Sequence, residues 1–173
     1  MPNSDGGNSK RTMVPIILRE IEQRPDLLSH ARIGIVYSVE NWDLVEPLVN
    51  ELRYELHEKY QVNIFNIKLT QTESIHEIPL FISRFHQRSE LIFAIGVELM
   101  SSPTYEPRLV DLLTRRIDAL ASCDSTRRLP VFDCILVRES REQLDNQIQA
   151  ISFAESWARR SIDAFTALPR IGH

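Results

Sequence analysis

The sequence predicts an α/β domain, a three-layer α/β/α sandwich on a four-stranded parallel sheet, with an extra helix at the N-terminus. Three observations carry that reading. Four short runs rich in Ile, Val and Phe have the near-continuous apolar character of strands buried on both faces. Amphipathic segments separate these runs, as crossovers between parallel strands require. The 173 residues, 43 % hydrophobic and 25 % charged, suffice for one domain with a substantial core.

The elements follow in order. Residues 1–12 are polar and glycine-containing and are expected to form a disordered tail. Ile17, Leu18 and Ile21 predict a helix over 13–28, stopped near Pro25. The main domain is then 29–168, and 169–173 form a second tail. Ile33–Tyr37 is the first strand. Asn41-Trp42-Asp43 offers capping chemistry for a helix carrying Leu44, Val45, Leu48, Val49, Leu52 and Leu56 at helical spacing. Pro47 lies early enough in that helix to be tolerated. Val62–Leu69 alternates as a second strand, and Glu77–His86 is a short helix with Ile78, Phe81, Ile82 and Phe85 on one stripe. Leu91–Val97 is the clearest buried strand. Arg108–Ala121 is amphipathic, Val131–Val137 is the fourth strand, and Glu142–Ile151 with Phe153–Leu168 form one broken or two successive helices.

Composition excludes several functions. Twenty basic and 24 acidic residues leave a net charge of −4, which argues against a nucleic-acid partner. No apolar run reaches membrane-spanning length and no secretory signal opens the chain, so an intracellular, cytoplasmic protein without a membrane partner is expected. Cys123 and Cys134 read as reduced thiols, Cys134 as a small buried residue. The folded body holds only Gly34 and Gly96, too few for a phosphate-cradling glycine loop. The histidines share no metal-ligand spacing, and no cofactor is expected.

Four segments together resemble the lumazine synthase family. Arg32-Ile33-Gly34-Ile35-Val36 with Ser38 and Asn41 looks like that family's opening strand and turn. Ser74-Ile75-His76-Glu77-Ile78-Pro79-Leu80 resembles its G-A-F-E-I-P-L segment. Phe93-Ala94-Ile95-Gly96-Val97 followed by Thr104-Tyr105-Glu106 resembles the strand entering its catalytic loop. Leu129-Pro130-Val131-Phe132, with Leu136 and Glu142-Gln143, resembles P-V-x-F-G-L-L-T…E-Q. Residues 154–165 also resemble the last helix of fungal members. The resemblance covers residues 31–168 in order. It implies a flavodoxin-like sheet assembled into pentamers, in some members into an icosahedral shell of twelve. It also implies active sites between subunits that condense a ribityl-aminouracil with dihydroxybutanone phosphate, using no metal or redox cofactor.

The resemblance carries the family's site onto residues that do not suit its chemistry. The catalytic histidine falls on Tyr105, a phenol with an ordinary pKa near 10 and so a poor base at neutral pH. The catalytic loop's basic residue, glycine and phosphate-binding threonine fall on Met100, Ser101 and Pro103, with Ser102 between. The phosphate-gripping arginine falls on Gln147, which loses the charged fork. The aromatic platform falls on Glu40 beside Asn41, and a second pocket aromatic falls on Asp133. His76 replaces the motif phenylalanine, and Glu77 remains. A register shift would instead offer Trp42 as platform or His76 as base. Bland readings stand beside these: His76 as a solvated helix-start residue, Ser101-Ser102 as a turn, Trp157 as a packing anchor, and the Arg115-Arg116, Arg127-Arg128 and Arg159-Arg160 pairs as solvated faces or intersubunit ion pairs.

The expected function is a non-catalytic lumazine-synthase-like scaffold or interaction module, a pseudoenzyme. Its expected partner is itself, as a homo-oligomer, a pentamer with a shell as the larger form, alongside an unidentified protein partner. The alternatives are an active synthase with a rebuilt site, and a binder of a different small molecule in the intersubunit cleft.

Overall fold

The computed structural model describes residues 28–85, 88–122 and 130–167. The expected helix at 13–28, apart from Leu28, lies outside them, as do both tails, His86, Cys123, the Arg127-Arg128 pair and Leu129. The described chain alternates β1 (Ile33–Ser38), α1 (Trp42–Glu58), β2 (Ile67–Thr72), α2 (Ile78–Phe85), β3 (Leu91–Leu99), α3 (Pro107–Ser122) and β4 (Val131–Arg138), then α4 (Arg141–Ala150) and α5 (Phe153–Ala167). The four strands form one all-parallel sheet in the order β2-β1-β3-β4, a flavodoxin-like topology.

Every residue of β3 is buried, as expected of a central parallel strand. Alternate side chains feed two cores. Phe93, Ile95 and Val97 join Ile33 and Ile35 of β1 in a core closed by Leu48, Leu52 and Leu56 of α1, Leu144 of α4, and Trp157 and Ile162 of α5. Ile92 and Ala94 join Val36 in the opposite core, closed by Ile78 and Ile82 of α2 and Leu113 and Ile117 of α3. Trp157 is buried and packs on Phe153, ring centroids 5.9 Å apart, which makes it a helix-packing anchor. Cys134 is buried in β4, and burial pushes its thiol pKa up.

Two sequence expectations change, and one left open between two alternatives is decided. The second strand begins at Ile67 rather than Val62. The Asn63 side chain accepts a hydrogen bond from the Phe65 N–H at 3.0 Å, and residues Ile64–Asn66 form a 3-10 turn instead of pairing. Asn41 stands at the start of α1 but makes no side-chain cap; its amide donates to the Val97 carbonyl at 3.0 Å. The last helical region is two helices. Ile151 is extended, and the Ser152 hydroxyl accepts from the Glu155 N–H at 3.1 Å while donating to Glu51 of α1 at 2.7 Å. The second helix thus has its own cap and its own tether. No described helix is long and apolar enough to cross a membrane.

Candidate functional site

In parallel sheets all strands end at one edge, and ligand sites gather beyond their carboxyl ends. Here that edge collects residues 38–41, 72–77, 98–105 and 138–143. The Met100 N–H donates to the Arg138 carbonyl at 2.9 Å and the Ser101 N–H to the Glu139 carbonyl at 3.2 Å, so the β3–β4 pairing runs on into the loops. The Val39 N–H donates to the Thr72 carbonyl at 2.9 Å, extending β1–β2 in the same way. Ten of the eleven sequence-predicted site residues therefore lie at or beside this edge.

Their polar groups are largely engaged with one another. Glu40 accepts a hydrogen bond from the Ile75 N–H at 3.3 Å, which joins the turn after β1 to the segment holding His76. Asn41 has a left-handed backbone, φ 53°, a conformation asparagine tolerates better than most residues, and its amide is held by β3. Ser74 and Glu77 form a reciprocal capping box: the Ser74 hydroxyl accepts from the His76 N–H at 3.3 Å, and Glu77 accepts from the Ser74 N–H at 3.4 Å and the Glu73 N–H at 2.9 Å. Glu77 is thereby a structural cap. The Ser102 and Thr104 hydroxyls lie 2.9 Å apart and the Tyr105 N–H returns to the Ser102 carbonyl at 3.0 Å, so 101–105 is a closed turn around Pro103. Met100 remains exposed at its entrance.

Gln147 accepts a hydrogen bond from the Arg138 guanidinium, which also donates to the Val137 carbonyl at 2.7 Å and lies 5.8 Å from the Phe153 ring centroid. Asp133 is the candidate the fold leaves apart. It pairs with Ala94, five residues before the end of β3 and so about 16 Å back from the carboxyl edge. Its carboxylate accepts from the Ile135 N–H at 3.0 Å, and burial outweighs that bond in raising its pKa.

His76 is exposed and turned to α3, where it lines a groove of about 240 Å³ with Leu109, Leu112, Leu113 and Arg116. The Tyr37 and Trp42 rings stack with centroids 5.4 Å apart on the other face of β1. Trp42 is thus occupied by a neighbouring ring. Among the described residues no group of three His, Cys, Asp or Glu side chains is placed to hold a metal ion.

Three groups at this edge escape the sequence reading. Glu98, 8 % exposed near the end of β3, has its pKa raised by burial and then by the Glu40 charge. A carboxylate closing an otherwise apolar run was the available signal. Arg138 was hidden as the last residue of a strand. Asp43 and Arg141 form an ion pair between the first turns of α1 and α4, and the Arg141 hydrogen bond holds the Asp43 carboxyl below its ordinary pKa. The edge is acidic around Glu40 and Glu98, and its one half-buried guanidinium is bound internally. Such a surface is poorly suited to an anion, and the His76 imidazole, exposed beside α3, is the described basic side chain nearest to it without a hydrogen-bond partner. No family model matches the chain, and no curated protein is significantly similar to it.

Proposed function

We propose that this chain is a non-catalytic scaffold of lumazine-synthase type that acts by assembling with copies of itself, a pentamer being the closed form. The observation that carries this reading is the apolar face of α3. Leu109 and Leu112 are 46 % and 43 % exposed and flank the groove beside His76, while Leu80 of α2 is 54 % exposed and Met100 45 %. Exposed leucines repeated along adjoining helices are costly in water and favour burial against another apolar surface. A second copy supplies that surface with no further partner, and closed symmetric assemblies satisfy every copy equally. The acidic carboxyl edge supports the absence of catalysis, since its half-buried Arg138 is held by Gln147 and the Val137 carbonyl rather than offered to a phosphate.

Two measurements on the full chain test this. Light scattering should give a mass of about five chains of 20.1 kDa each. Incubation with a ribityl-aminouracil and dihydroxybutanone phosphate should yield no lumazine chromophore. A concentration-independent monomer overturns the scaffold reading, and chromophore formed at ordinary enzymatic turnover overturns the non-catalytic one.

A further inference from the structure

The opposite, amino-terminal edge of the sheet carries a second polar constellation, on the α2 side of β1 and β2. Between the last described turn of α2, at Phe85, and the start of the edge strand β2 lies a cleft of about 430 Å³. That volume is within the range of small-molecule sites. Among the described residues three cationic side chains line it, Arg32, Lys68 and Arg88, and no carboxylate does. Glu90 lies outside the lining and offsets part of the Arg32 charge from 3.8 Å, while Lys68 and Arg88 have no carboxylate partner among the described residues.

Two further features point to a ligand. Ser89 lines the cleft at 8 % exposure, and its hydroxyl has no hydrogen-bond partner among the described residues. That oxygen opens on the cleft, where it can donate to a bound oxyanion. It lies against Gly34 of β1, where a Cβ would come within 3.1 Å of the Ser89 oxygen, so the glycine lets this serine sit at the sheet. Phe65 is 80 % exposed at the mouth and Phe85 is half-buried in the wall, which supplies aromatic faces beside the cations.

We propose that this cleft binds a planar aromatic ring carrying a phosphate, the ring against Phe65 and Phe85 and the phosphate on Lys68, Arg88 and the Ser89 hydroxyl. A doubly charged oxyanion matches several cations and one hydroxyl donor, and the apolar wall gives the ring the remaining contact. The site lies roughly 20 Å from Glu40 along β1, so it is separate from the carboxyl edge.

The test is calorimetry of the full chain at low salt with 1-naphthyl phosphate, inorganic phosphate and 1-naphthol. The expected result is saturable binding of 1-naphthyl phosphate, with the other two weaker by at least about tenfold. The paired variant Lys68→Glu, Arg88→Glu should lose binding by at least about tenfold with its circular dichroism spectrum unchanged, since both side chains are exposed. Phe65→Ser should weaken 1-naphthyl phosphate and leave inorganic phosphate unaffected. Arg115→Glu on α3, outside the cleft, should change nothing. Absence of 1-naphthyl phosphate binding, equal loss in the Arg115→Glu variant, or retained binding in the paired variant overturns the proposal. Inorganic phosphate binding as tightly as the aromatic phosphate also overturns it, because the ring would then contribute nothing.

Discussion

Glu98 shows how a single residue sets the character of the carboxyl edge. Its carboxyl is buried at the end of β3 and shares its surroundings with Glu40, and both effects favour the protonated form. The native state therefore holds this proton more tightly than the unfolded chain does. The penalty is absent below the ordinary glutamate pKa and grows as pH rises through the shifted value. Glu98→Gln should accordingly raise Tm at pH 7, and the gain should vanish as pH falls below about 4. Thermal melts of both proteins across pH 3 to 8 check this, and a gain independent of pH would point to packing instead. Gly96, two residues earlier on the same face, has a steric role: a Cβ there would lie 2.5 Å from Cγ2 of Ile75, which is fully buried. Glycine at this position admits the segment carrying His76 and Glu77 onto the sheet. In the sequence it was visible only as one of two body glycines, because the partner that demands it is about 20 residues away.

At the scale of elements, the segment Ser74–Glu77 is the clearest case of local chemistry fixing local structure. A serine followed three residues later by glutamate caps the 3-10 turn Ile75–Glu77 that leads into α2, and the buried Ile75 ties it to the core. Ser74→Ala removes one side of the box and should cost about 1 kcal/mol of unfolding free energy, read from the urea midpoint. An unchanged midpoint would mean that Ile75 alone holds the turn. The elements that departed from expectation did so through side-chain bonds that compete with the backbone. Asn63 diverts residues 64–66 from β2, and Asn41 gives its amide to β3 rather than to α1. Apolar alternation reports burial, and Val62 is indeed buried, but it does not report which backbone groups are already bonded.

At the scale of the whole molecule, the two helix layers differ in how completely they are covered. The face bearing α1, α4 and α5 carries the larger of the two cores, while α2 and α3 present leucines outward. The paired variant Leu109→Glu, Leu112→Glu should lower the particle mass toward that of a single chain with helix content retained, because both side chains are exposed in one chain. An unchanged mass by light scattering would place the assembly surface elsewhere. The sequence by itself determined the layer order, the four strands and the identity of the core, because apolar periodicity is a direct record of which side chains avoid water. The candidate residues it named fall mostly at the carboxyl edge once the sheet is formed, since parallel strands all end there. Only the tertiary structure decided what those residues do. Glu40 meets Ile75 across 35 positions, Asn41 meets Val97 across 56, and Arg141 meets Asp43 across 98. Such bonds depend on where the crossovers return the chain, and no local pattern encodes that distance.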